Sequence, residues 1–419
     1  MLVRLGLLGA MGFLCVIEAG AEEMELSVTA RLEGGSGIQS AVVVDLHSVE
    51  GLSFSVESAV VEHEGKDIAY QLDDLDGDGN NDELCFLDDL IVCKSKTYQL
   101  KLSSERSQTK YPALVYGDIM LNDKKGKHPL IIGLEAPGES DIYNDLYHHG
   151  AEFESELTGY RIYFDHRQNI DLYGKRQKRL ELEETHFYTS ASQQSLGYGN
   201  DVLWAGQSIG CGSLKLWDGI EAKNWTNVYR RSQRLICSGP LRTIVEVCDL
   251  NARVDSLSTT YNVRTLYTMY GGHREVRVDI FLDRPIATPF LCTGVQRIGA
   301  SDEAFSTNGG VKSEGYVRSD GLAVSWGCDY PEMSKKDQFA PEEIGLAVRV
   351  PSEYVVESKI DSLNYLLVLG RPGQQHIYYY LGFSAIKEDF GYHSSADWFS
   401  HVESWTPGTV DVKVFSATH

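Results

Sequence analysis

Between residues 145 and 175 the chain reads "DLYHHGAEFESELTGYRIYFDHRQNIDLYGK", two histidines followed by alternating carboxylates and aromatics. Read as one strand from Ala151 to Asp165, period two puts Glu152, Glu154, Glu156, Thr158 and Tyr160 on one face. Phe153, Ser155, Leu157, Gly159 and Arg161 fall on the other. So acidic a face is predicted to meet a cleft or solvent, not the core. Carboxylates two residues apart on a strand are roughly 6–7 Å apart, and the pair Glu154 and Glu156 suits a glycosidic acid and base with a water between them, or a solvated face. His148 and His149 titrate near neutral pH and are candidates, with Tyr160, for proton transfer. Arg161 is the candidate for neutralising a substrate carboxylate.

Two other stretches add binding groups. In "YGNDVLWAGQSIGCGSLKLWDG", residues 198–219, Asp201, Trp204 and Trp217 have the polar and aromatic character of a sugar site, although core packing competes for the tryptophans. Gly206, Gly210 and Gly212 interrupt this run without the spacing of a nucleotide loop, so no nucleotide cofactor is expected. In "YGGHREVRVDIFLDR", His273 and Arg274 are candidates for holding a uronate, with surface pairing to Glu275 or Asp279 as the alternative. Gly206-Gln207-Ser208-Ile209-Gly210 has the GxSxG spacing but not the strand-to-helix setting of a nucleophile elbow, and no HExxH helix is present, so the serine-hydrolase and zincin readings are unsupported.

The stretch "DLDGDGNNDE", residues 74–83, places Asp74, Asp76, Asp78, Asn80 and Asp82 at alternate positions, like the start of an EF-hand loop. Cys85 stands where that loop needs its bidentate glutamate, and the flanks alternate as strands do. A structural Ca²⁺ between strands is the expectation, against a plain Asp/Asn/Gly turn.

These groups must be carried by β-structure. The 419 residues, with 40 Gly and 23 Tyr, contain many short alternating runs, turn residues at Ser238-Gly239-Pro240 and Gly271-Gly272-His273 between such runs, and one helical pattern, "SSADWFSHVESW", with a serine N-cap. The organisation read from these runs is a small N-terminal β-sandwich over 22–104, a polar connector over 105–129, and a large antiparallel β-sandwich over 130–419. The all-β chain is thus expected to carry a galactose-mutarotase-like super-sandwich. Residues 1–21 combine Arg4, an apolar run and Ala19 and Ala21 at a cleavage site, the pattern of a secretory signal, so a secreted or periplasmic address is expected. No other segment is apolar enough to span a membrane. Seven cysteines remain after cleavage, none in a zinc spacing, and are read mainly as small buried side chains; Cys85 and Cys93 are the pair placed to meet across a hairpin. A formal charge of −22 argues against nucleic acid as a partner.

The texts "HHGAEFESELTGYRIYFDHRQNIDLYGK", "YGNDVLWAGQSIGCGSLKLWDG" and "QLDDLDGDGNNDELCFL" together resemble a family of secreted bacterial proteins that bears a domain-of-unknown-function label. Its members occur chiefly in Bacteroidota, beside enzymes that process pectin and uronates. The resemblance implies polysaccharide utilisation and carries over, as motif residues, Glu154, Glu156, Tyr160, Arg161, Tyr173, Gly174, Lys175, Asp201, Gly206 and Gly210. The functional expectation is a carbohydrate-active enzyme on uronate-containing glycans, acting by elimination or hydrolysis. A noncatalytic glycan-binding protein and a mutarotase- or epimerase-like enzyme are the alternatives.

Overall fold

Alternation of Val, Leu and Tyr with polar residues folds into antiparallel sheets, as period two requires when one face of a strand is buried. The structure is a computed structural model describing residues 21–35, 39–123, 125–253, 259–298, 313–331, 341–405 and 408–416. The expected leader lies outside them except for Ala21.

The N-terminal sandwich packs a five-stranded sheet against a three-stranded one, with Val28, Val42, Val44, Leu84, Phe86, Tyr98 and Leu100 inside. Its first strand, Glu23–Glu33, pairs on one side with Ser95–Ser103 and on the other with Thr409–Ser416. The chain's last strand, assigned by sequence to the large unit, thus completes the small one. The larger unit holds a nine-stranded sheet and two five-stranded sheets over one continuous apolar core that includes Tyr267, Ile280, Leu291, Leu367, Tyr379 and Leu381. Each fully buried Leu, Ile or Val there contributes about 1.5–3 kcal/mol.

Several sequence expectations hold in detail. The helix spans Ser395–Ser404, its Ser394 side chain accepts from the Asp397 amide, and it buries Trp398 and Val402. The turns at 238–240 and 271–273 join paired strands. Cys85 and Cys93, however, are not bridged: Cys85 is buried and Cys93 exposed, and all seven described cysteines are free. Among the described residues, no helix is long and apolar enough to cross a membrane.

The acidic loop joins Tyr70–Asp73 to Glu83–Asp88, strands as its flanks predicted. Asp74 accepts from the Gly77 and Gly79 amides, and Asp74, Asp76 and Asp78 lie close enough to share an ion. Asp82 is committed instead to the Leu75 amide and His47, and Asn80 donates to Asp78. The same hairpin docks on the large unit. Arg242 reaches Asp73 at 2.6 Å and Glu83 at 2.7 Å, Gln71 accepts from the Leu241 and Arg242 amides, and Arg234 donates to the Leu75 carbonyl.

A second tie between the units is His273. Its Nδ1 meets Glu275 at 2.8 Å and its Nε2 the Gln39 carbonyl at 2.9 Å, and since both oxygens only accept, the ring carries both protons. Burial opposes that charge, but the Glu275 carboxylate outweighs it and pushes the imidazole up to about 9, while His273 draws Glu275 down to about 2 against the same burial. The imidazolium's contribution is therefore complete below the unfolded histidine value of about 6.5 and lost as pH rises through its folded value. The carboxylate's is complete above about 4.5 and lost as pH falls toward its folded value. Denaturant melts should show about 3 kcal/mol lost on the alkaline side, and His273→Gln should flatten that slope; an unchanged slope in the variant would remove His273 as its source.

Candidate functional site

The chemistry-bearing residues converge on one five-stranded sheet: Val115–Asp118, Gly150–Ser155, Thr158–Tyr163, Ile170–Gly174 and Asn200–Asp201. Strand register lines up Asp118, Glu152, Arg161 and Asp171 directly across four neighbouring strands. Cross-strand neighbours are about 4.5–5.5 Å apart at Cβ, so four ionisable groups form a row on one face, all buried. Phe153, Tyr160 and Leu172 point the other way, into the main core.

At one end of the row His148, fully buried, approaches Asp118 Oδ1 at 2.8 Å and Glu152 Oε1 at 3.7 Å through Nε2. Its Nδ1 donates to the Gly150 carbonyl at 2.7 Å. Tyr116 donates to the other Asp118 oxygen at 2.6 Å. Burial, reinforced by Asp118, pushes the Glu152 carboxyl up to about 8. For His148 burial works downward, but the Glu152 and Asp118 carboxylates win and raise it. At the other end the Arg161 guanidinium is paired with Asp171, donates to Tyr163 and Tyr188, and lies 3.6 Å from Asp201. Burial, then the neighbouring Asp171 charge, lifts Asp201 well above the usual carboxylate range.

Aromatic rings and imidazoles roof this row. Tyr143 stacks on His149 at 3.9 Å between centroids, Tyr147 packs edge-on against His186 and Tyr188, and Phe187 covers the Arg161 guanidinium at 4.2 Å. The His149 and Tyr188 rings are 6.3 Å apart and partly exposed. His149 donates Nδ1–H to the Tyr143 carbonyl, and burial holds its imidazole below the ordinary value, in the neutral form. His149, His186 and Phe187 all take left-handed φ angles of 69°, 46° and 66°. Such backbone costs about 1–3 kcal/mol for a residue with a side chain, and three instances here mark the roof as held in place by its surroundings.

The family described as "Domain of unknown function (DUF4861)" matches residues 37–411. The chain belongs to this family. A search of curated proteins finds no match. Among solved structures, this DUF4861 protein is similar to a glycosyl hydrolase family 38 protein from Enterococcus faecalis, at 9% identity and a TM-score of 0.42, over 93% of this chain and 47% of that one. It is also similar to an alpha-mannosidase from Enterococcus faecalis V583, at 10% identity and a TM-score of 0.41, over 93% and 46%. It spans less than half the length of either.

Of the DUF4861 residues singled out by sequence, His148, His149, Glu152, Arg161 and Asp201 meet at this site. The others are placed elsewhere. Residues 151–165 are not one strand but a hairpin turning at Glu156 and Leu157. Glu152 and Glu154, expected toward solvent or a cleft, are fully buried. Glu154 pairs with Lys175 at 2.5 Å and accepts from the Glu181 and Leu182 amides, while Lys175 also donates to the Ser155 and Arg179 carbonyls. Neither group is free for substrate. Glu156 accepts from the Gly272 amide with both oxygens, and Tyr160 donates to the Arg274 carbonyl from within the core. Arg274 is held by Glu388 and the Phe383 carbonyl, and His273 by its own partners described above. Trp204 stands exposed and Trp217 is core. Gly212 has φ 73°, and a Cβ there would meet Leu381 at 2.6 Å, so its role is backbone packing.

Sequence reasoning missed Asp118, Asp171, Tyr188 and His186 as site residues. Asp118 lies in "VYGD", inside the segment read as a connector, whose alternation was the available signal. Lys215 is a separate case: burial pushes its amine down to about 7, yet it donates to the Arg167, Asn169 and Asn224 oxygens, which makes it a structural clamp.

Proposed function

We propose that this protein is a carbohydrate-active enzyme that cleaves uronate-containing oligosaccharides or polysaccharides by β-elimination. The observation that carries the reading is the pair of partly exposed proton-transfer groups, His149 and Tyr188, facing each other above the buried Arg161 guanidinium. In this reaction His149 Nε2 takes the proton from C5 of the uronate, the C4–O bond breaks as the C4–C5 double bond forms, and Tyr188 gives its proton to the departing oxygen. The phenolate left on Tyr188 is stabilised by Arg161, whose Nη1 donates to it at 3.2 Å. Aromatic rings of Tyr143, Tyr147 and Tyr188 supply faces against which a sugar ring packs.

Elimination is favoured over hydrolysis because the carboxyl pair that hydrolysis would use, Glu154 and Glu156, is bound up in Lys175 and in backbone amides. The apolar leader expected over residues 1–21 suits an exported protein whose substrate is an extracellular glycan. Incubation with pectin-type and other uronate polymers and oligosaccharides should generate the ultraviolet absorbance of a conjugated unsaturated uronate. Reducing ends without that absorbance would mean hydrolysis, and retention of glycan without product would mean a binding protein; either result defeats the elimination reading.

We also propose that the acidic loop holds a structural Ca²⁺, supported by the convergence of Asp74, Asp76 and Asp78 beside the seam with the large unit. Ca²⁺ should raise the melting temperature of the wild type, and Asp76→Asn with Asp78→Asn should abolish that rise. Equal melting with and without the ion would show the loop to be a plain turn.

A further inference from the structure

The geometry points to a divalent first-row metal ion bound by Asp118, His148 and Glu152, with His186 as a fourth ligand, beneath the aromatic roof. The inference goes beyond the elimination reading and stands without it.

The first observation is the orientation of His148. The Gly150 carbonyl can only accept, so Nδ1 carries a proton and Nε2 is the ring atom turned toward two carboxylates, where a metal ion would take the place of the Nε2 proton. The 2.8 Å approach of Nε2 to Asp118 Oδ1 lacks hydrogen-bond alignment, and both atoms are buried without a hydrogen-bond partner. An imidazole whose Nδ1–H is held by a backbone carbonyl while Nε2 faces carboxylates is the arrangement that metal-bound histidines adopt.

The second observation is Glu152, fully buried, with neither carboxylate oxygen bonded. A buried ionised carboxylate without partners costs several kcal/mol, and a neutral one would still leave both oxygens unmatched. Tyr116 occupies one oxygen of Asp118 and so turns the other inward. One donor atom from each of Asp118, His148 and Glu152 lies within 4.8 Å of the others, a spacing a small cation closes with ligand distances of about 2.0–2.2 Å. His186 Nδ1, also buried and unbonded, is 3.9 Å from Glu152 Oε1.

Charge leads to the same assignment. Four carboxyl groups, Asp118, Glu152, Asp171 and Asp201, share this sheet face with the Arg161 guanidinium, and a dication would offset the excess negative charge that their ionisation puts there. The mixture of imidazole and carboxylate suits Mn²⁺, Fe²⁺, Co²⁺, Ni²⁺ or Zn²⁺, whereas Ca²⁺ calls for six or more oxygens.

The test uses the full-length protein and metal alone. Protein stripped with chelator should bind one equivalent of Co²⁺ or Zn²⁺ by calorimetry, with Glu152→Gln and Asp118→Asn each weakening it more than about 100-fold, beyond the 10–100-fold seen when a ligand's supporting hydrogen bond is lost. The Asp76→Asn/Asp78→Asn loop variant should bind that equivalent unchanged. Because Glu152 is fully buried, the wild type provides a check independent of variants: one equivalent of Cu²⁺ should show coordinated imidazole nitrogen in pulsed electron paramagnetic resonance. Absence of stoichiometric binding by folded wild type, a spectrum without imidazole nitrogen, or affinity unchanged in folded variants overturns the site. No glycan enters these measurements, so inactivity on uronates with metal bound defeats only the elimination reading, and turnover by protein that binds no metal defeats only this one.

Discussion

Replacing Glu154 by Gln is expected to destabilise the protein by about 3–5 kcal/mol, because it leaves the Lys175 ammonium buried without its counter-charge. Both side chains are completely buried. Lys175 keeps only the Ser155 and Arg179 carbonyls, which satisfy its protons without neutralising it. Glu154 also accepts from the Glu181 and Leu182 amides, so the same change loosens the start of the short helix Leu182–Thr185 and the roof that follows it. Lys175→Met should cost a similar amount. The combined Glu154→Leu and Lys175→Met protein should lose less than the sum, since no unpaired charge then remains. Urea melts of the three variants measure this directly. A carboxylate serving chemistry instead would give the opposite pattern, with turnover abolished by Glu154→Gln and the melt unmoved.

That Glu154 looked catalytic in sequence, yet lies buried against Lys175 and two backbone amides, follows from what alternation encodes. Period two reports that successive side chains point to opposite faces, and it reports nothing about what covers each face. The cover here is the segment from Lys175 to Tyr188, which carries no strong apolar period of its own and is tied down by Glu154, Lys175 and Phe187. The strands themselves, the turn at 238–240 and the helix at 395–404 were legible because their signals are local.

The hairpin at residues 156–157 was hidden for a related reason. Its loop, Glu156 and Leu157, contains neither Gly nor Pro, and the alternating text runs through it unbroken. Residues paired across it, such as Glu152 with Arg161 and Phe153 with Tyr160, differ in parity, so odd and even exchange faces at the turn. Reading one strand therefore put Arg161 opposite the carboxylates and Tyr160 among them. The turn reverses both, bringing Arg161 beside Glu152 and sending Tyr160 into the core. Asp118 and His186 come from segments well separated in sequence from Glu152, and only strand register and the roof unite them.

His149→Gly should separate stability from chemistry in the sense opposite to Glu154→Gln. Turnover of whichever uronate oligosaccharide the wild type cleaves should fall by about 10²–10⁴-fold in kcat, the usual contribution of a positioned general base. Stability should stay within about 1 kcal/mol of wild type, because glycine relieves the strain of φ 69° while forfeiting the stack on Tyr143. The Nδ1–H bond to the Tyr143 carbonyl and the 3.9 Å stack fix the ring so that Nε2 is the atom left for substrate. A residue held in a costly backbone region, by contacts that orient one nitrogen, is better explained by what that nitrogen does than by the stability it adds. Tyr188→Phe is the complementary change: it removes the acid while leaving His149 in place, so its loss should be greatest for glycans with the poorest leaving groups. If His149→Gly melts like wild type and turns over like wild type, the base lies elsewhere, and the strained backbone at His149 serves only to seat the roof over Glu152.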